Sequence, residues 1–512
     1  MENLKMKLKG LLVFSTLHSS LFIFTFFILH SSLFTLTSCE DYLSVQPKSQ
    51  VLADEYFSDD QAYNDFLLGS YEKMCSESLY GRNLTFGLVE VLSQNYDLST
   101  SNPYYEASQY NYTNSDTRSM IDNIWSGQYN VIANLNLLLQ YIDETPANRF
   151  EGNNYYLYKG EAMGLRAFLH FDLLRLFSPA YTYDKDAVAI PYVTEYSTSV
   201  TPQKTVAQTI QLIKDDLYQA REYLRKGDKL YLASSDSAYY YRGSSLGYYG
   251  QQIFNYYAAT ATLARVYMWE ENLDSAFVCA NEITTSVDND EYKFSWAHYS
   301  SIETNNIAER DFLYNSEHIF RLNVADFDDI TSQWFTATAA NNNKLLTPND
   351  TKQDQIFEIS TKALGADYRY VYNFISDGGD YKYMAKFWQS RNNISFTYVN
   401  MLPLIRMTEM YYICAEAMNN VNRQEAVRYL NTVRHNRNLG EAYDLTPDIS
   451  SDALQEEVYK EYRKEYLGEG QLFYYYKRKG YDAIPGSGTA ATKSVYVLPY
   501  PDNEVEFGSR QE

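Results

Sequence analysis

Residues 403–417, Pro403-Leu404-Ile405-Arg406-Met407-Thr408-Glu409-Met410-Tyr411-Tyr412-Ile413-Cys414-Ala415-Glu416-Ala417, run into the polar turn Asn420-Val421-Asn422-Arg423. Beyond the turn, Ala426, Leu430 and Val433 recur at helical spacing. An apolar stripe needs residues three and four apart, so this pattern predicts two helices packed on each other over 404–435. Small residues at 415 and 417 let the two backbones approach. A second copy lies at 256–285, where Ala261, Ala264 and Tyr267 lead across Glu271-Asn272-Leu273-Asp274 to Ala276, Ala280 and Ile283.

Small residues at a helix crossing, a short polar turn and alanines four apart are the logic of a tetratricopeptide-type unit, here without the full consensus. Further stripes run through 121–142 (Ile121, Ile124, Trp125, Ile132, Leu135, Leu139, Ile142) and 161–177 (Ala162, Leu165, Leu169, Leu173, Leu176), where Pro179 stops the second. The most regular helix is 206–224, with Val206, Ile210, Ile213, Leu217, Ala220 and Leu224 on one face and a Thr205/Gln208 capping box at its start. With 452–478, the pairs at 121–177, 256–285 and 404–435 predict a mainly α fold. Four degenerate helix pairs would form a right-angle platform rather than a regular solenoid. Residues 93–118, 226–252 and 286–402 crowd Asn, Asp, Ser, Gly and Tyr together and read as loops or short irregular elements. Their aromatic content argues against disorder, so the large region 286–402 is expected to be functional loop surface on a helical scaffold at 121–285 and 404–478.

At the front, Lys5, Lys7 and Lys9 precede a mostly apolar run at 11–36, closed by Thr37-Ser38-Cys39-Glu40-Asp41. Small residues before a lone cysteine predict a lipoprotein signal peptide over 1–38 and lipidation of Cys39, leaving one domain at 39–512. A plain transmembrane anchor is the competing reading, because the run is long enough to span a bilayer. Its length has a visible cause: Leu-His-Ser-Ser-Leu-Phe occurs at 17–22 and again at 29–34.

The 512-residue chain carries a net charge of −22, and loss of three Lys and one Glu with residues 1–38 takes it to −24. That excludes a nucleic-acid partner, whose phosphates need a basic footprint, and leaves membrane attachment to acyl chains. Cys75, Cys279 and Cys414 are too few and too scattered for a disulfide framework and read as buried thiols. There is no phosphate-cradling glycine loop, no Gly-x-Ser-x-Gly, no His-Glu-x-x-His and no zinc-spaced Cys/His cluster. His170, His298, His318 and His435 are isolated and read as satisfied or surface histidines. Asp288-Asn289-Asp290-Glu291 and Asp326-Phe327-Asp328-Asp329 are candidate calcium turns that lack the glycine and terminal glutamate of an EF-hand loop. The 52 tyrosines are the compositional outlier. A flat apolar ring with a polar tip suits weak recognition of sugars or peptides, although most tyrosines fill helix interfaces.

These residues together resemble the SusD/RagB family of outer-membrane nutrient-binding lipoproteins over essentially the whole of 39–512. Cys39-Glu40-Asp41-Tyr42-Leu43, Pro47, Tyr56-Phe57 and Gly69-Ser70-Tyr71 look like the family's mature start. Ile124-Trp125, Tyr129, Ile132 and Asn134, then Gly160-Glu161-Ala162, Leu165-Arg166-Ala167-Phe168 and Leu173-Leu174-Arg175, are similar to its middle helices. Arg406-x-x-Glu409 followed by Ala415-Glu416-Ala417 is the most specific match. Glu461-Tyr462-Arg463-Lys464-Glu465, Glu469-Gly470-Gln471 and Leu498-Pro499-Tyr500-Pro501 with Glu504 continue it. Tyr462 and Leu472 stand where the family usually has Arg, and Tyr475 where it has Asp, which marks a divergent branch.

The resemblance implies a non-catalytic surface binder. It would capture an oligomeric nutrient, most readily a glycan, and act as a hinged lid on a SusC-like TonB-dependent transporter in the outer membrane of a Bacteroidetes-type bacterium. An oligopeptide ligand is the alternative. A lipoprotein hydrolase would need a carboxylate pair in a cleft, and a scaffold without a small ligand is a further reading. Candidate ligand residues are the loop aromatics Tyr96, Tyr104, Tyr105, Trp296 and Trp334, with Asn95 and Asp97 as polar partners. Aromatic rings recognise the apolar faces of sugars while amides and carboxylates bind their hydroxyls.

Overall fold

The computed structural model describes residues 56–232, 250–289, 293–336, 343–376, 382–389, 398–508 and 510. The signal-peptide and Cys39 expectations lie outside these residues, as does most of the second loop region. Among the described residues, no helix is long and apolar enough to cross a membrane.

Twelve helices of eight residues or more are present among the described residues: α1 (Asp60–Met74), α2 (Ser115–Glu144), α3 (Asn154–Phe177), α4 (Val206–Gly227), α5 (Tyr256–Trp269), α6 (Leu273–Asp288), α7 (Phe327–Phe335), α8 (Asp350–Phe357), α9 (Met407–Met418), α10 (Arg423–His435), α11 (Ser451–Tyr466) and α12 (Leu472–Lys479). Among the described residues, six short strands form three antiparallel two-stranded sheets. They are β1 (Val188–Pro191) with β2 (Gln203–Thr205), β3 (His318–Asn323) with β6 (Met401–Arg406), and β4 (Phe374–Ser376) with β5 (Lys382–Met384). The fold is therefore mainly helical, as the periodicity predicts.

Local signals set the helix ends. Thr205 Oγ1 accepts from the Gln208 amide at 3.2 Å while Gln208 Oε1 accepts from the Thr205 amide at 3.0 Å, completing the capping box of α4. In both helix-turn-helix copies an asparagine caps the second helix: Asn272 accepts from the Ser275 amide and Asn422 from the Glu425 amide. Within the scaffold α5 packs on α6, α9 on α10, and α6 in turn on α9. The helix α3 packs against α2 but most extensively against α4, and is buried almost all round from Leu157 to Phe177. Its polar residues survive burial by pairing. Arg166 donates from Nε and Nη2 to Asp216 at 2.8 Å each, and Tyr71 donates to Glu161 at 3.0 Å.

Two expectations are corrected. Residues 404–406 are not helical: Met401–Arg406 is a strand, paired to β3 with Arg321 opposite Pro403, and α9 starts only at Met407. Pro403 has no N–H to donate, and an unbroken apolar run of Met401, Leu402, Leu404 and Ile405 is buried along the strand. The region 286–402 is not only loop. Phe327, Thr331, Trp334 and Phe335 bury one face of α7, a helical spacing that its Asp- and Ser-rich surroundings conceal.

This region is joined to the C-terminal helices by buried charge. Glu465 on α11 accepts from Arg437 at 2.7 and 3.0 Å, from Arg369 at 3.0 Å and from Arg406. Arg437 also holds Glu317 (2.6 Å), Arg369 holds Asp367 (2.6 Å) and Glu461 (2.7 Å), and Arg406 holds Glu469 (2.7 Å). Arg434 and Lys464 bind Glu461, and Lys464 reaches Glu358 at 2.7 Å. Burial costs each ion several kcal/mol, so the cluster persists only because each charge has an opposite partner. Glu317, Glu358, Asp367 and Arg369 come from the 286–402 region, which is thereby fixed to the scaffold.

Candidate functional site

The structure buries most of the loop aromatics singled out from the sequence. Tyr104 is 0 % exposed, Tyr96 5 % and Trp334 4 %. The Tyr104 hydroxyl donates to Asn83 Oδ1 at 2.6 Å, and its ring lies 5.2 Å from that of Trp334, which carries Arg82 on its face at 5.1 Å. Asn95 is fully buried, accepting from Arg463 Nε at 3.0 Å and donating to Glu90 at 2.9 Å. These four side chains are no ligand platform in this structure, because they anchor the first loop to α7 and α11. A large ring in a long loop is stabilised more by burial than by exposure. Asp97 is exposed, but its carboxylate takes the Asn349 amide at 2.8 Å and Lys352 at 3.0 Å. Tyr105 is half-buried. Trp296, also half-buried, packs 5.0 Å from Tyr411, in a separate cluster. The structure thus brings Tyr104 to Trp334 and leaves Trp296 out of that group.

A ligand-sized concavity lies elsewhere, between α2, α3, α4 and the segment after β1. It encloses about 420 Å³ and is lined by Asn136, Leu139, Gln140, Asp143, Lys159, Met163, Arg166, Thr194, Glu195, Tyr196 and Gln219. Arg166 braces its floor: while clamped on Asp216, it donates to Asn136 Oδ1 at 3.0 Å, and Asn136 Nδ2 donates to the Val193 carbonyl at 3.0 Å. His170 steadies the same segment, accepting from the Val193 amide at 3.0 Å and donating to the Arg166 carbonyl at 2.8 Å. Burial pushes its imidazole down to about 3, so it is a neutral structural group. The walls carry exposed amides (Gln140, Gln219), exposed carboxylates (Asp143, Glu195) and the Tyr196 ring at 57 % exposure. Lys159 is paired with Asp143, as Arg166 is with Asp216, so the cleft offers no uncompensated cation. Hydroxyl-bearing neutral ligands fit this chemistry better than anionic ones. Sequence reasoning missed these residues; the one available signal was Asn136, a polar residue beside Ile132, Leu135 and Leu139 on the apolar face of α2.

Comparison with known proteins identifies the family and the fold. The model described as the SusD family matches residues 221–506, more than half of the chain. The chain belongs to the SusD family. A second SusD-like model, described as starch-binding associating with outer membrane, matches residues 41–268. A SusD-like protein of Formosa agariphila is 23% identical over 484 residues, covering 87% of this chain and 88% of that protein. Among solved structures, a putative sugar binding protein from Bacteroides vulgatus is similar at TM-score 0.66 and 23% identity, covering 88% of this chain and 97% of that one. A SusD-like carbohydrate binding protein from the same species has TM-score 0.67 at 18% identity, with the same coverages.

The SusD-family motif Arg406-x-x-Glu409 proves to be structural here. Arg406 enters the buried charge cluster, whereas Glu409 takes a bidentate grip from Arg265 on α5 at 2.6–2.9 Å. Tyr462 and Tyr475 meet at 5.3 Å in an aromatic cluster. Among the described residues, no group of three or more His, Cys, Asp and Glu could hold a metal ion. Of the two candidate calcium turns, Asp290 and Glu291 lie outside the described residues, Asp288 accepts from the Tyr411 hydroxyl, and Asp328 and Asp329 sit in the first turn of α7.

Glu90 reports on the junction between the first loop and α11. It is fully buried, and burial pushes its carboxyl up to about 7 against the hydrogen bonds from Asn95 and the Gly470 amide. A raised folded pKa means the native state holds a proton that the unfolded state has released, so this group's contribution to stability is lost as pH rises from about 4.5 to about 7. Glu90→Gln is expected to flatten that loss. In melting curves between pH 5 and 8 the variant should gain on the wild type as pH increases; a pH-independent difference would contradict the assignment.

Proposed function

We propose that this SusD-family protein binds a neutral glycan at the cell surface in the cleft between α2, α3 and α4, and delivers it to a SusC-like TonB-dependent transporter of the outer membrane. The observation that carries the reading is the cleft itself. About 420 Å³ lies within the range of small-molecule sites, and amides, carboxylates and one exposed ring are the groups that bind sugar hydroxyls and the apolar face of a pyranose. Membership of the SusD family, the outer-membrane description of the second matching model and the sugar-binding relatives support the same role. In this reading Cys39 carries the acyl chains, and the bound glycan is handed on without chemistry.

The test is calorimetric titration of the chain from Cys39 onward, without lipid, against neutral polysaccharides, acidic polysaccharides and an oligopeptide mixture. One neutral glycan is expected to bind. Tyr196→Ala should weaken it by about five- to tenfold, as loss of a stacking ring worth about 1–1.5 kcal/mol implies, with an unchanged circular dichroism spectrum. Trp334→Ala should lower the melting temperature while sparing affinity in the fraction that folds. Unaltered binding in Tyr196→Ala combined with Gln140→Ala would remove the cleft as the site, and binding of peptides alone would replace the glycan reading.

A further inference from the structure

A second cavity, of about 50 Å³, lies inside the helical scaffold between α3, α5, α9, α11 and α12. At about 10–15 Å³ per water-sized sphere it has room for a few such spheres. Four of its lining residues each present a buried polar atom with no protein partner: Arg175 Nε, Arg265 Nη1, Trp269 Nε1 and the Tyr412 hydroxyl. All four side chains are 5 % exposed or less. Three of these atoms are N–H groups that can only donate, and the hydroxyl can donate too. A cation is thereby disfavoured, and an acceptor is required.

Charge points the same way. The two carboxylates in the lining are already held: Glu409 by Arg265, and Glu416 by both oxygens from Arg478 at 2.8–2.9 Å with Lys479 at 3.2 Å. Arg175 is paired with Asp172. Arg175, Arg265 and Arg478 therefore face Asp172, Glu409 and Glu416 one to one, which leaves no spare carboxylate to accept from the free donors. Lys477 lies outside the lining, and its amine, bonded to the Arg175 and Tyr496 carbonyls at 2.6 Å, is pushed well below the ordinary lysine range by burial and by Arg175, away from its charged form. In a low-dielectric interior four unused donors, two of them on guanidinium groups, are costly unless an acceptor meets them, and an anion is the acceptor that charged donors bind most strongly.

We propose that this cavity is a binding site for one small monovalent inorganic anion, chloride under physiological conditions, which takes the free donors of Arg175, Arg265, Trp269 and Tyr412. The anion would then be a structural ligand that ties α3, α5 and α9 together, separate from the glycan cleft.

Bromide tests this directly. Crystals of the chain from Cys39 onward, grown in bromide, should show one anomalous peak within hydrogen-bonding distance of Arg265 and Trp269. The melting temperature at constant ionic strength should rise by about 2 °C when chloride replaces gluconate from about 1 to about 100 mM. Tyr412→Phe keeps the ring at α9 and removes one donor, and Trp269→Phe keeps an aromatic ring while removing another; each should lose most of the chloride-dependent rise while remaining folded. Ordered waters in the cavity with no bromide peak would overturn the proposal. A peak without any chloride dependence of melting, an adventitious ion only, would overturn it equally. If both variants kept the full rise, the stabilisation would come from another site and the assignment would fall.

Discussion

Glu465→Gln is expected to lower the free energy of unfolding by at least about 3–5 kcal/mol, enough to leave much of the chain unfolded at 37 °C. Glu465 is 1 % exposed, and its carboxylate meets three guanidinium groups, those of Arg369, Arg406 and Arg437, each 1 % exposed or less. Burial alone would raise this carboxyl; Arg437 and Arg406 overcome it and hold it well below the ordinary range. Glutamine keeps the shape but turns an acceptor oxygen into a donor amide aimed at donors, and leaves three buried cations short of one charge. Urea unfolding at pH 7 measures the loss. Glu425→Gln, an exposed partner of Arg428, is the control and should shift stability by less than about 0.5 kcal/mol. Because the folded pKa is depressed, the contribution of Glu465 is present above about pH 4.5 and disappears on acidification. The wild type and the variant should therefore converge towards low pH; a constant gap would show that lost packing, not charge, dominates.

Gly470→Ala should be nearly as damaging, at about 2–5 kcal/mol. Gly470 has φ of +68°, and a Cβ there would lie 2.7 Å from the Leu84 carbonyl oxygen and 2.8 Å from that of Thr85. The left-handed conformation costs a non-glycine residue about 1–2 kcal/mol, and displacing backbone in a packed interior adds about 1–3 kcal/mol. Gly480 separates the two contributions, since it has φ of +64° with nothing within 4 Å of its Cβ position. Gly480→Ala should pay only the conformational cost. Equal melting temperatures for the two variants would sink the steric part of the explanation.

The helices were legible because their determinants are local. Stripes of apolar residues, the Thr205/Gln208 box and Asn422 with its polar turn act within a few positions of one another, and they form where the pattern predicts. The strand at Met401–Arg406 was not legible as such, since an apolar run beside a helix start reads equally well as the helix; pairing with β3 decides it. Glu461, Lys464 and Glu465 look like one charged face of α11. Their burial depends on Arg369, Arg434 and Arg437, which lie 92, 27 and 28 positions from the residues they bind.

The candidate site shows the same division. Residue type marked Tyr104 and Trp334 as conspicuous, but whether a ring anchors a loop or faces a ligand depends on what packs against it. The cleft gathers Gln140, Lys159, Tyr196 and Gln219 from four segments with no common motif, so no reading along the chain could assemble it. Periodicity, capping and the Arg406-x-x-Glu409 block were enough to establish a helical SusD-type protein, because short-range backbone and stripe preferences are encoded residue by residue. Which charges are buried, which tyrosines are exposed and where a ligand fits were decided only by tertiary packing, because burial and electrostatic pairing are properties of residues brought together from distant parts of the chain.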